Sequence, residues 1–226
     1  MKRHSNAPDL PSDLSGFGPA GLLAALVILL GNGLFAPLSA LLVLLWALRS
    51  HTPWGELGFV RPRNWIMAIG AGVVAGVFLK LLMKALVMPL LGAPPVNPAF
   101  RHLTGNTAAL PGMLYAVTIG AGFGEETVFR GYLFERLGKL FGESKWAACA
   151  IVILTSAWFG AMHYSGQGIH GVQQAAIVGL AFGVVYTRIR CLWPLIFAHA
   201  AFDVTALALI YWGVEPQVAC SVFTCR

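Results

Sequence analysis

Three short stretches set ionisable side chains inside apolar sequence: EETVFR at 125–130, FGAMH at 159–163 and HAAFD at 199–203. Glu126 and Arg130 are four residues apart, so on a helix they share a face and can form a charge-assisted pair. Glu125 is rotated from Glu126 by about 100° and reaches that guanidinium less readily. It is therefore the carboxylate left free to face a cavity. His199 and Asp203 repeat the four-residue spacing, in which a carboxylate orients an imidazole or both face one ion. Phe159, four before His163, walls the same side of its helix. With histidines neutral, three carboxylates and one guanidinium (Glu125, Glu126, Asp203, Arg130) sum to −2. A divalent cation would neutralise that charge and so would protonation; the sum does not choose.

Each piece has a plainer reading when taken alone. An intramembrane Glu/Arg pair is more often a brace or a transporter gate, and a lone histidine in a span is usually satisfied by a backbone carbonyl. An ionised side chain at mid-membrane costs from ~2.5 to more than 10 kcal/mol, so Glu125, Glu126, His163, His199 and Asp203 are hard to account for one at a time. Together they can satisfy one another. The remaining polar residues read as structural. His170 is placed in a loop with His4, His51 and His102. Lys80 and Lys84 are expected to snorkel to the interface, and Glu135 with Lys139 to form a solvated face of the amphipathic YLFERLGKLF at 132–141.

The elements that must position these groups are transmembrane helices. The chain has 226 residues, 58% hydrophobic and 11% charged, which leaves too little polar surface to cover a soluble domain. Apolar runs fall at about 18–48, 65–91, 107–129, 146–162, 172–187 and 192–213, several long enough to cross a bilayer. Gly31, Gly33 and Pro37 divide the first run into a broken helix or a tight hairpin. The expected fold is all-α: a multi-pass plasma-membrane protein with six to eight transmembrane helices around an intramembrane polar cavity. Residues 17–213 form this domain, between a polar, disordered N-terminal tail (1–16) and a C-terminal tail (214–226). In that C-terminal tail Cys220 and Cys225 could pair.

The net charge of +6 does not point to nucleic acid, because the basic residues sit at the ends of apolar runs rather than on one soluble face. Loops around 49–63, 136–145 and 188–190 gather them and are expected to be cytoplasmic. The cavity should open on that side, since Glu125 lies only about 16 Å of helix from Arg136. His163 fits less well, at about 27 Å from Lys145 on a straight helix.

The ordered set of Glu125-Glu126-Thr127-Val128-Phe129-Arg130, Phe159-Gly160-Ala161-Met162-His163 and His199-Ala200-Ala201-Phe202-Asp203 resembles the CPBP family. These are the intramembrane CAAX proteases and bacteriocin-processing enzymes, also called the Abi family. The resemblance implies a helical endopeptidase in which Glu125 activates water, His163 and His199 complete the water or metal site, and Glu126 and Arg130 support Glu125. Asp203 would be the fourth catalytic position. The family has been described both with a divalent metal such as zinc and as metal-free glutamate proteases. Eukaryotic members carry Asn where this chain has Asp203. An ionised Asp cannot donate a hydrogen bond to an oxyanion, so Asp203 better suits an orienter of His199 or a metal ligand. The balance leans slightly towards a metal set of Glu125, His163, His199 and Asp203.

The expected activity is hydrolysis of a peptide bond in a membrane-associated peptide or protein: prenylated CAAX substrates in eukaryotes, bacteriocin or pheromone precursors in bacteria. Two other classes stand against it. A non-catalytic scaffold or immunity protein of the same fold would tolerate degenerate motifs, and none is degenerate here. An ion-coupled transporter would carry inverted repeats, and no internal repeat is evident.

Overall fold

The computed structural model describes residues 10–223. In chain order these form α1 (Leu10–Ser15), α2 (Pro19–Leu34), α3 (Ala36–Arg49), α4 (Trp65–Leu90), α5 (Thr107–Phe141), α6 (Lys145–Met162), α7 (Tyr164–Ile189), α8 (Trp193–Tyr211) and α9 (Glu215–Ala219). Helix is the form a lipid-facing chain must take, because hydrocarbon offers its N–H and C=O groups no partner. Among the described residues there is no strand, and five helices, α4 to α8, are long and apolar enough to cross a membrane. Side chains start two of them: Asn64 Oδ1 accepts from the Met67 amide, and Ser144 Oγ from that of Ala147. The protein is an all-α multi-spanning membrane protein.

The first apolar run is a hairpin. Phe35 alone is extended (φ −162°, ψ 104°) between α2 and α3. The Ser39 hydroxyl then donates to the Ile28 carbonyl at 2.6 Å and the Trp46 indole to that of Leu14 at 3.0 Å, so the two helices run back along each other. Their 16 and 14 residues measure about 24 and 21 Å, short of the ~30 Å hydrocarbon layer.

The expected disordered tail is ordered in its second half. Arg136 donates to the Ser15 and Gly16 carbonyls at 2.7 and 2.8 Å and lies against Phe17 and Trp46. This fixes α1 beside the hairpin. Residues 1–9, which include Lys2, Arg3 and His4, lie outside the described residues, as do Cys225 and Arg226; the expected Cys220–Cys225 pair cannot be placed for that reason.

The basic loops meet at one end of the molecule. Lys139 pairs with Glu56 at 3.1 Å, and the Leu192 amide donates to Gly58 at 2.8 Å. The opposite end is tied by the Gly105 amide to the Tyr211 carbonyl at 2.9 Å and by Lys84 to Glu215 at 2.7 Å. Glu135 departs from the solvated face expected of it. Its side chain is 2% exposed beneath Lys139, because α5 continues unbroken through the amphipathic segment and packs it inward.

Two glycines seat α8 between α4 and α5. A Cβ on Gly76 would run into the Ala198 carbonyl, and one on Gly122 would stand 3.0 Å from Ala200 Cβ. The backbones of α4 and α5 therefore touch α8 on either side of His199, which fixes the depth of that imidazole.

Candidate active site

The segments Ala116–Glu125 and Thr127–Tyr132 of α5 wind as π-helix, a wider turn found disproportionately at functional sites. On it, Glu126 faces the protein interior and its side chain is fully buried. Its Oε1 accepts from Arg130 Nη1 at 2.8 Å and lies 2.7 Å from His199 Nδ1. An ionised carboxylate only accepts, so His199 presents Nδ1–H to Glu126. Arg130 also reaches the Gly179 carbonyl at 3.3 Å and lies against the rings of Phe159 and Phe182. A buried charge needs partners of this kind, and they gather on Oε1, since Glu126 Oε2 has none among the described residues.

Glu125 is turned differently. It lines a cavity of about 280 Å³ that also exposes His163, His199 and Asp203. Glu125 Oε2 and Asp203 Oδ2 stand 3.7 and 3.6 Å from the same atom, His199 Nε2. No hydrogen-bond partner reaches Glu125 Oε2. His163 caps the end of α6, with Nδ1 2.8 Å from the Phe159 carbonyl. The Phe159 ring stands against both imidazoles, its centroid 4.7 Å from that of His163 and 6.0 Å from that of His199. Motif residues up to 78 positions apart in the chain, Glu125 and Asp203, thus share one chamber.

The donors present are imidazole nitrogen and carboxylate oxygen, which suit a divalent cation. Among the described residues, however, no three His, Cys, Asp or Glu side chains are grouped as a metal site as they stand. Both imidazoles are anchored through Nδ1, so any further bond must come through Nε2.

The chamber extends away from the basic loops, the side on which it was expected to open. Glu126, Arg130 and Phe182 close the chamber towards the basic loops. Its wall continues the other way, through Lys84, Met88, Asn97, Phe100, Leu209 and Glu215. Counting helical residues from Arg136 gave the depth of Glu125 but not the direction in which packing leaves space. His163 joins the site because the chamber extends along the helices instead of lying in one plane.

Several lining residues were read otherwise from the sequence. Lys80 and Lys84 do not snorkel: they are 8% exposed and turn into the chamber, where Gln174 and Glu215 receive them. His170 is helical, not in a loop, and its Nδ1 lies 3.0 Å from Gln173 Oε1. The helix begins earlier than its apolar run because Gly168 (φ 63°, ψ −160°) absorbs a kink. The available signal was the set of Lys80, Lys84, Gln167 and Gln174 within apolar helices.

No curated protein and no solved structure matches the chain. Residues 107–205 match the family model described as type II CAAX prenyl endopeptidase, Rce1-like. That segment spans the π-helical stretch of α5, all of α6 and α7, and α8 as far as Thr205, and so contains every motif residue. Over residues 107–205 the chain is similar to the Rce1-like group of CAAX-type proteases, and the resemblance read from its motifs is borne out.

Proposed function

We propose that the chain is an intramembrane endopeptidase in which Glu125 activates the attacking water. The observation that carries this reading is the division of labour between adjacent carboxylates. Each keeps an Oε2 without a hydrogen-bond partner among the described residues, but Glu126 is spent through Oε1 on Arg130 and His199 and stands behind the wall, while Glu125 lines the chamber. A base must be within reach of the proton it takes, and of the two adjacent glutamates Glu125 is the one facing the space where a substrate would lie.

In the proposed reaction Glu125 takes a proton from water as the water oxygen bonds to the scissile carbonyl carbon. The same proton passes to the departing nitrogen as the C–N bond breaks, leaving an acid and an amine. His199, held by Glu126, offers Nε2 to the reacting oxygens. Asp203 restrains the same imidazole, and His163 bounds the opposite wall. The substrate would be a membrane-associated peptide or protein, since the chamber is walled by membrane-spanning helices.

The test compares the membrane peptidomes of cells carrying the native protein and Glu125→Gln. Specific products should vanish in the variant. Identical peptides with altered abundance of partner proteins would instead favour a scaffold.

A divalent cation is the second reading, favoured by the two imidazoles fixed through Nδ1, as partners of metal-binding histidines fix them. His163, His199, Glu125 and Asp203 would hold it, drawn closer together than they stand. Such an ion would acidify water and polarise the carbonyl.

A further inference from the structure

Among the lysines and arginines around the chamber, Lys80 is the one left over. Arg130 is paired with Glu126 and Lys84 with Glu215, whereas among the described residues no carboxylate stands within ion-pair distance of Lys80. Its ammonium donates to Gln174 Oε1 at 3.1 Å and lies 4.8 Å from the centre of the Phe202 ring. Lys80 is only 8% exposed, and its open side is the chamber that holds Glu125. An ammonium carries three donors, and a buried charge with one neutral partner is costly. Of the neighbouring acids, Glu215 holds Lys84 at 2.7 Å, and Asp203, 3.6 Å from His199, stands beyond ion-pair distance of Lys80.

We propose that Lys80 is an anion subsite within the chamber and takes a carboxylate of the substrate. The inference rests on the endopeptidase reading and adds to it a feature the substrate must carry. Gln174 fixes the ammonium, the Phe202 face backs it, and two donors remain for the ligand. Phe202 immediately precedes Asp203, about one turn of α8 beyond His199. A carboxylate at Lys80 therefore lies only a few residues of extended peptide from a bond poised at Glu125. Met113, Val117, Leu207 and Ile210 supply apolar wall to the same chamber, and low polarity strengthens such a pairing. The selected segment is apolar except for one carboxylate, supplied by a free C-terminus or by an acidic side chain.

Binding is measured with the Glu125→Gln protein, so that no probe is consumed. The probes are an N-palmitoyl trileucine as the free acid, the same peptide as its C-terminal amide, and an amide with one leucine replaced by aspartate. The free acid should bind at least tenfold tighter than the plain amide. Lys80→Met should erase that difference, and Lys80→Arg should keep most of it. Tight binding of the aspartate probe would assign the subsite to side chains, weak binding to C-termini. Equal affinity of free acid and both amides, or a preference that survives Lys80→Met, overturns the proposal. Thermal unfolding of each variant checks that the chamber is folded. The outcome is separable from that of the peptidome comparison: acid preference without any cleavage product would retain Lys80's role and remove Glu125's.

Discussion

Glu126 and His199 are joined at 2.7 Å across 73 residues of chain, and the same carboxylate oxygen also receives Arg130. The contact ties α5 to α8 where both pass the chamber. It turns one face of the imidazole inward and leaves the other for chemistry.

Glu125 and Glu126 should therefore separate stability from activity. Glu126→Ala strands two buried groups and should cost about 3–5 kcal/mol, read as a lower unfolding temperature in detergent. Glu125→Gln removes no described hydrogen bond at Oε2 and should melt within about 1 kcal/mol of the native protein while product formation falls by a factor on the order of 10² or more. Equal destabilisation by both would contradict the division of labour.

Asp203→Asn replaces an acceptor with a group that can also donate. Beside a developing oxyanion that exchange is favourable or neutral, so the variant should keep at least roughly a tenth of the native cleavage rate, whereas a contribution as an anionic ligand would be lost. Rate measurements on Asp203→Asn and Asp203→Leu together distinguish these roles.

Chelation addresses the cation directly. If Glu125 works alone, phenanthroline leaves cleavage unchanged and His163→Ala does not alter the metal content of purified protein. Activity lost on chelation and restored by zinc, with zinc missing from His163→Ala, would transfer the site to the second reading.

The seat of α8 has its own test. Gly76→Ala drives a methyl into the Ala198 carbonyl and should destabilise by roughly 1–3 kcal/mol. Gly70, on the same helix with open space around it, accepts Ala with a gain of up to about 1 kcal/mol. Opposite signs in thermal unfolding are expected.

The chemistry was easier to read in the sequence than the space around it. Helical spacing alone paired Glu126 with Arg130 and set Glu125 aside, because i,i+4 geometry survives even where α5 widens into π-helix. The same spacing paired His199 with Asp203, and the cost of isolated charges in apolar sequence placed both in the same group as His163. Spacing carried no information about which end of the bundle would be open, since that depends on where side chains from other helices fill the interior. It misplaced Lys80 and Lys84 for a related reason: a lysine near a helix end looks the same in sequence whether it reaches outward to headgroups or inward to Gln174 and Glu215. The hairpin was one of two readings, and the contacts of Ser39 with Ile28 and Trp46 with Leu14 decide it.

Glu215 receives Lys84 Nζ at 2.7 Å and the Asn97 amide at 3.3 Å, so the last helix helps form the rim of the chamber. An affinity tag or fluorescent fusion appended behind it would pull on that rim and could distort substrate entry in any assay. The exposed turn at Gly142 and Glu143, at the basic end, is the safer place to attach a reporter.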